Sequence, residues 1–309
     1  MRVLFYGTPA FALPTLHALL ARHRVVAAVT QPDRPRGRGQ RAQASPVKAI
    51  ALEHRIPVEQ PVRLRDPGWP ERLAEHGADV AVVVAFGQIL PRTILDIPAR
   101  GSINVHASLL PRYRGAAPIA WAIIRGERET GITTFQMDAG MDTGPLLLQR
   151  PTPIRPEETA GELAERLAVL GAEVLLETLD RLETLVPRPQ DSRTVTLAPR
   201  LRKEDGLLDW TEPAEALAGR VRGLNPWPGA VTLAPGGRLL IWRARAIAGR
   251  GDPGMLTAAD GRLAIGTGAG LLEPIEVQSE NRRAVDWDAY LRGARIGPGA
   301  PLGATAPRA

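Results

Sequence analysis

The stretch Ile103-Asn104-Val105-His106-Ala107-Ser108-Leu109-Leu110-Pro111 joins a short apolar strand to a loop. Side chains alternate between the two faces of a strand, so Asn104 and His106 are expected on one face and the flanking apolar residues on the other. An amide donor and a titratable imidazole then stand side by side where the strand ends. Because Asn is a poor strand former, packing alone does not favour this pair. The pair therefore predicts a catalytic site. The alternative is that the two side chains bond to each other and have a purely structural role.

A second polar segment, Met137-Asp138-Ala139-Gly140-Met141-Asp142-Thr143-Gly144, carries two carboxylates on a loop after another predicted strand. A carboxylate beside an imidazole orients the ring and pairs with its charge. We therefore expect Asp138 or Asp142 to orient His106. Asp142-Thr143-Gly144 also occurs in aspartic proteases, but their mechanism needs two such carboxylates that share a proton, and the sequence has no second copy.

The chain around these loops alternates between strand and helix patterns, which predicts an α/β fold with a Rossmann-like, mostly parallel sheet. The unbroken apolar run Asp79 to Phe86 is typical of a central strand buried on both faces. Ligands of such sheets bind beyond the carboxyl ends of the strands. We expect three segments at that edge, which are Phe86-Gly87, His106 to Ser108 and Met137 to Asp142. Further strands are predicted at 2–6, 25–30, 132–137 and 146–149, and helices at 10–21, 69–76, 117–124 and 157–185.

The first strand leads into Gly7-Thr8-Pro9, a turn that suits a helix start because Thr can cap it and Pro fits its first position. This turn has one glycine and is not a G-x-G-x-x-G motif. The opening therefore gives no support to a nicotinamide or flavin site.

The composition changes at residues 187–206, which are rich in Pro, Arg, Asp and Ser and lack periodicity, as a linker does. Beyond them, short β-rich runs alternate with turns such as Pro235-Gly236-Gly237. Several short strands in about a hundred residues predict a small β-barrel of the OB type, which often binds nucleic acid. The predicted organisation is a catalytic domain at 1–186, a linker at 187–206 and an OB-like domain at 207–309.

With 309 residues, the chain is long enough for two domains with buried cores. The absence of cysteine excludes disulfides and thiolate chemistry, and five histidines without paired spacing disfavour a zinc site. No apolar run approaches the ~20 residues of a membrane span, and the first residues enter a strand rather than a signal peptide. A cytoplasmic protein is expected.

Positive charge is concentrated in residues 1–50, which hold eight basic residues and one acidic residue. Much of it lies in the loop Gln31 to Ser45, whose arginines are Arg34, Arg36, Arg38 and Arg41. Arg38 stands between two glycines, where the backbone is free to approach a ligand closely. The loop predicts contact with a polyanion, and a solvated loop is the alternative.

The chain resembles the 10-formyltetrahydrofolate-dependent formyltransferases over essentially its whole length. The resemblance is carried by Asn104-Val105-His106, Ser108-Leu109-Leu110-Pro111, Asp142-Thr143-Gly144, Gly7-Thr8-Pro9 and the loop Thr30 to Arg41. It implies transfer of a formyl group from N10 of the reduced folate to the α-amine of initiator methionyl-tRNA, without a metal and by a monomer. It also implies a C-terminal domain similar to the OB fold, as the strand pattern does.

The resemblance also implies roles for individual residues. The implied catalytic residues are Asn104, His106 and Asp142. The implied folate-binding residues are Phe86, Gly87, Ser108, Leu109, Leu110 and Pro111, acting largely through backbone groups. The implied tRNA-binding residues are Arg36, Arg38 and Arg41, of which Arg38 is the most important, and Arg41 stands where the family more usually has lysine.

Two other functions stay open at this point. A formyltransferase that acts on an amino sugar or nucleotide would share the catalytic core. It has no need of an arginine-rich loop or of the basic C-terminal part, where residues 186–309 hold seventeen basic and thirteen acidic residues. A degenerate relative that only binds RNA would have no need of an intact Asn104, His106 and Asp142.

Overall fold

The computed structural model describes residues 1–36, 41–259 and 261–303, and these divide into two compact units. The first unit comprises Met1–Pro118, Glu129–Pro153 and Ala164–Ala198. The second comprises Ile119–Arg128, Ile154–Leu163 and the described residues from Pro199 onward. The segment 187–206, predicted as a linker, is thus divided between the units, because its first part is hydrogen-bonded into the first unit.

The first unit contains eleven strands among the described residues. They are β1 (Arg2–Gly7), β2 (Arg24–Val29), β3 (Arg34–Arg36), β4 (Arg41–Gln43), β5 (Val58–Glu59), β6 (Val80–Val84), β7 (Ser102–His106), β8 (Arg114–Gly115), β9 (Glu129–Gln136), β10 (Leu146–Pro153) and β11 (Leu197–Ala198). Seven of them form one sheet in the order β10-β9-β7-β6-β1-β2-β5, while β3 pairs with β4 and β8 pairs with β11.

Strand β6 lies at the centre of this sheet and all five of its residues are buried, as its apolar run predicts. It pairs in parallel with β1 and with β7, and its Val83 lies opposite Asn104. The five strands β5, β2, β1, β6 and β7 are all parallel. His106, the last residue of β7, therefore lies at the carboxyl edge, where ligands of such sheets bind.

The last two strands of the sheet run the other way. Strand β9 is antiparallel to β7, with Gln136 opposite Ile103, and β10 is antiparallel to β9. The end of β9 therefore lies beside the start of β7, and the expectation that Met137 lies at the carboxyl edge is wrong. An apolar strand pattern looks the same in either direction, so the sequence did not indicate this reversal.

The helices are α1 (Leu13–Arg22), α2 (Pro46–Glu53), α3 (Trp69–Ala74), α4 (Arg92–Leu95), α5 (Pro118–Ile124), α6 (Ala160–Asp180), α7 (Ala214–Gly223) and α8 (Trp287–Ala294). Helix α6 begins after a capping box, in which the Thr159 hydroxyl accepts from the Glu162 N–H (3.3 Å) and the Glu162 carboxylate accepts from the Thr159 N–H (2.8 Å). This cap sets the start of α6 at Ala160, three residues after the predicted start. None of the helices in these described ranges is both long and apolar enough to cross a membrane.

The second unit is built on an antiparallel sheet. Its strands are β12 (Ala230–Ala234), β13 (Gly237–Ile247), β14 (Leu256–Ala259), β15 (Arg262–Gly266), β16 (Leu271–Ser279) and β17 (Val285–Asp286), in the order β12-β13-β16-β15-β14 with β17 on β16. The tight turn between β12 and β13 places Gly236 and Gly237 at φ 103° and 118°, which suits glycine alone. The predicted sequence of a mostly parallel α/β domain and a small β domain is confirmed.

Candidate active site

The His106 ring lies at the end of β7, is buried and has fixed partners. Its Nε2 lies 3.0 Å from the carbonyl oxygen of Tyr113, and since a carbonyl can only accept, Nε2 carries a proton. Tyr113 is held in a left-handed conformation (φ 62°) while its own N–H donates to Thr196 Oγ1 (2.8 Å). The other ring nitrogen, Nδ1, is thereby the one presented to the site.

Asp142 is the carboxylate that faces this nitrogen. Its Oδ2 lies 3.8 Å from His106 Nδ1 and accepts a hydrogen bond from the backbone N–H of Gly115 (2.8 Å). A separation of 3.8 Å is an ion-pair distance and too long for a hydrogen bond. A substrate oxygen or nitrogen that lies beside the pair, off the line between the two atoms, can approach both Nδ1 and Oδ2 to hydrogen-bonding distance.

Asp138, the other loop carboxylate, has a different role. Its Oδ1 accepts from the N–H of Gly140 (3.0 Å) and from the hydroxyl of Thr143 (2.6 Å), so it stabilises the turn of its own loop. The sequence left open which carboxylate approaches His106. In the structure it is Asp142, whose carboxylate is bound to the Gly115 N–H and faces His106, whereas the Asp138 carboxylate is bound within its own loop.

Asn104 lies two residues before His106 on β7, on the same face of the strand. It is half-buried and its backbone is paired between Val83 of β6 and Phe135 of β9. Its side-chain amide makes no hydrogen bond to any residue in the described part of the chain. A positioned amide without a protein partner is available as a donor to a ligand.

The loop after β7 is braced by side chains of β9 and β10. The Thr133 hydroxyl donates to the carbonyl of Ser108 (2.6 Å) and accepts from the N–H of Leu110 (3.1 Å). Gln149 donates to the carbonyl of Leu110 (2.8 Å), and the Leu110–Pro111 peptide bond is cis. The backbone N–H and C=O of Leu110 are thus already paired. Of the residues predicted to bind folate, Ser108, Leu110 and Phe86 are buried, whereas Leu109, Pro111 and Gly87 reach the surface.

Phe86 and Gly87 follow β6 at the carboxyl edge. The Phe86 ring packs edge-on against Tyr6, with 5.4 Å between ring centroids, and its carbonyl accepts from Thr8 Oγ1 (3.0 Å) and Gln31 Nε2 (3.3 Å). Gly87 has φ 84° and is exposed. Phe86 therefore shapes this edge from the core, and Gly87 forms its surface.

The arginine-rich loop is only partly described. The prediction for Arg38 falls outside the described residues, and of Arg36 and Arg41 the structure describes the backbone, which pairs between β3 and β4. Asp33, the one acidic residue of the loop, is bound to Lys48 Nζ (2.6 Å), and this bond lowers the pKa of Asp33. The negative charge of Asp33 is therefore already matched by a cation outside the loop.

Several residues of the site escaped the sequence analysis. Thr133 looks like an ordinary β-branched strand residue, and Tyr113 and Gly115 contribute only backbone atoms, which carry no sequence signal. Among the described residues, no cluster of three or more His, Asp or Glu side chains is arranged to hold a metal ion.

Two family models match the chain: the formyl transferase model over residues 1–179 and the formyl transferase C-terminal domain model over residues 200–295. The chain is 49% identical over 307 residues to the methionyl-tRNA formyltransferase of Citrifermentans bemidjiense, covering 98% of this chain and 96% of the relative. It is 51% identical over 308 residues to the methionyl-tRNA formyltransferase of Solibacter usitatus, covering 98% and 99% of the two chains.

Solved structures with a similar fold are more distant in sequence. HypX from Aquifex aeolicus in complex with tetrahydrofolic acid matches with a TM-score of 0.64 at 19% identity, over 96% of this chain and 48% of that one. The sugar 3N-formyl transferase WlaRD matches with a TM-score of 0.65 at 16% identity, over 92% and 99%. At these identities the likeness shows the fold alone. The family models and the curated relatives decide the family: the chain belongs to the formyltransferases, with methionyl-tRNA formyltransferases as its close relatives.

Proposed function

We propose that this protein transfers the formyl group of 10-formyltetrahydrofolate to the α-amine of initiator methionyl-tRNA. The observation that carries the proposal is the arrangement of three side chains at one edge of the sheet. His106 has its Nε2 proton fixed by Tyr113, its Nδ1 faces Asp142 across 3.8 Å, and the Asn104 amide on the same strand face has no protein partner within the described residues.

The reaction needs these three groups. The amine nitrogen attacks the formyl carbon, a C–N bond forms, and negative charge develops on the former carbonyl oxygen. Asn104 donates an N–H to that oxygen, and protonated His106 donates a second bond from Nδ1. Asp142 takes the excess proton from the attacking nitrogen, directly or through water. The carbonyl then re-forms as the bond from the formyl carbon to N10 breaks, and N10 takes up a proton that balances the one Asp142 received.

We propose that the folate binds against the surface formed by Gly87, Leu109 and Pro111. Phe86, Ser108 and Leu110 support this surface from below, since each of them is buried. This division refines the expectation that all six residues contact the folate. The bracing by Thr133 and Gln149 keeps the surface in one conformation before the ligand arrives, which lowers the entropy cost of binding.

We propose that the arginines of the 31–45 loop, Arg36, Arg38 and Arg41, bind the acceptor end of the tRNA together with the C-terminal domain. Arg38→Ala should then lower kcat/KM for methionyl-tRNA and leave folate affinity unchanged. Each lost phosphate contact should also reduce the slope of log affinity against log salt by roughly 0.7 to 0.9. A salt titration of tRNA binding measures this slope. Unchanged tRNA formylation by the variant would mean that the loop is merely solvated.

The reaction itself is tested by supplying 10-formyltetrahydrofolate with methionyl-tRNA or with an amino sugar nucleotide. Formylation of the tRNA and not of the sugar is expected, and the reverse preference would overturn the proposal in favour of the sugar enzyme. Binding of tRNA without any formyl transfer would instead indicate a protein that only binds RNA.

We further propose that the protein is cytoplasmic and a monomer. Sedimentation of the purified protein at working concentrations tests the oligomeric state.

A further inference from the structure

We infer that Gln190 is a positioning residue that holds Asp142 in its working conformation, and that Arg114 holds Gln190. The inference rests on the role proposed above for Asp142. Gln190 lies in the segment that the sequence predicted to be a linker, 48 residues from Asp142 in the chain. It lies between the residues matched by the two family models, 1–179 and 200–295, and outside the motifs that carry the resemblance.

Asp142 needs to be held because its backbone is left-handed. Its φ is 56°, a region that residues with a Cβ rarely adopt. Such a conformation persists only when the surrounding structure imposes it, and outliers of this kind cluster at functional sites. The Asp142 carboxylate has one backbone hydrogen bond, from Gly115 (2.8 Å), which fixes the end of the side chain and leaves the peptide to be fixed by other groups.

Gln190 fixes that peptide. Its Nε2 donates to the carbonyl oxygen of Asp142 (2.9 Å) and to that of Gly144 (2.8 Å), so both amide protons have an acceptor in the loop. Its Oε1 accepts from Nε (3.1 Å) and from Nη2 (2.7 Å) of Arg114. The reverse orientation of the amide would set its oxygen against two carbonyls and its NH₂ against a guanidinium. The amide orientation is thus determined by these four hydrogen bonds.

These bonds close a ring around the proposed catalytic carboxylate. Arg114 is the neighbour of Gly115, whose N–H binds the Asp142 side chain, and the Arg114 guanidinium binds Gln190, which binds the Asp142 backbone. The backbone of Arg114 is itself fixed, since its N–H donates to the carbonyl of Thr196 (2.9 Å) and β8 pairs with β11. The distance from Asp142 to His106 therefore depends on Gln190 at one end and on Gly115 at the other.

The substitution that tests this is Gln190→Glu. Glutamate has the same shape and keeps an acceptor for Arg114. It cannot donate to the carbonyls of Asp142 and Gly144, and its carboxylate oxygen would repel them. We expect kcat for formyl transfer to fall roughly 10- to 100-fold, the effect of moving a reacting group by about 1 Å, with KM for both substrates within about twofold of wild type. Arg193→Gln is the matched control. It changes an exposed ion pair with Asp191 in the same segment and should leave both constants unchanged.

A double-mutant cycle separates positioning from general loss of structure. If Gln190 acts through Asp142, adding Gln190→Glu to Asp142→Ala lowers kcat no further. Additive losses, or a rise in KM at constant kcat, would overturn the inference. Should Asp142→Ala itself leave kcat unchanged, the proposed role of Asp142 fails first, so the two failures are distinguishable.

A second variant covers the case in which Gln190→Glu does not fold by circular dichroism. Arg114→Lys removes the two-point hold on Gln190 Oε1 and keeps the positive charge. It should lower kcat in the same way, with the same lack of additivity to Asp142→Ala. If a folded Arg114→Lys protein kept the wild-type kcat, the inference that Arg114 holds Gln190 in place would be wrong.

Discussion

Thr133 is the residue whose single hydroxyl holds the loop after β7, so Thr133→Val isolates what that bracing contributes. Thr133 is fully buried, and its hydroxyl makes three hydrogen bonds: to the carbonyl of Ser108 and from the amide groups of Leu110 and Gln149. Valine has nearly the same shape, so the change removes these bonds and leaves no large cavity. Gln149 is only half-buried and keeps its bond to Leu110, whereas the Ser108 carbonyl and the Leu110 N–H are left buried without their partner.

The cost follows from those two groups. Each buried polar group left without a partner costs about 1 to 3 kcal/mol, so Thr133→Val should lower the free energy of unfolding by about 2 to 6 kcal/mol. A domain has a total stability of only about 5 to 15 kcal/mol, so the loss is a large part of it.

Urea denaturation measures the free-energy difference, and hydrogen exchange of the peptide covering residues 106–113 shows whether the loss is local. Thr130→Val is the control, because Thr130 is also buried on β9 but makes no side-chain hydrogen bond to any described residue. This control should lower the free energy of unfolding by much less than Thr133→Val, because it leaves no buried backbone group without its partner. If the two valine variants proved equally stable, the Thr133 bonds would not be what holds the loop.

Three further expectations concern the site and the start of α6. Asn104→Ala should slow single turnover by roughly 10² to 10³ with substrate binding less affected, and near wild-type chemistry would remove Asn104 as an oxyanion donor. His106→Ala and Asp142→Ala should be non-additive in kcat, whereas additive losses would mean that the two residues act separately. The Thr159 N–H and the Arg243 guanidinium lower the pKa of Glu162 from 4.5 to about 2. Its charged form therefore stabilises the fold above pH 4.5, and this contribution is lost as the pH falls toward 2. Glu162→Gln should accordingly be less stable than wild type at pH 7 and equal to it near pH 2 in urea titrations, and a pH-independent difference would contradict the assignment.

The sequence predicted the parts of the site that depend on local pattern. Strand alternation placed Asn104 and His106 on one face, and the apolar run Asp79 to Phe86 predicted β6 as a central strand of a mostly parallel sheet. The direction of β9 was not predictable in this way, because hydrophobic periodicity carries no information on strand direction. The bonds from Gln190 to the Asp142 loop could not be predicted either. A polar residue in a Pro- and Arg-rich segment is expected to be solvated, and the partners of Gln190 lie far away in the chain.

The position of Gln190 in the chain has a consequence for folding during synthesis. Domains made on the ribosome begin to fold from the N-terminus. All seven strands of the large sheet are complete once Pro153 has been made, whereas the Gln190 amide and strand β11 are added later. The sheet can therefore assemble while the Asp142 peptide is still free to leave its left-handed conformation. The Asp142 carboxylate, which the proposed mechanism uses, reaches its final conformation only when the last segment of the first unit, ending at Ala198, has emerged and bound.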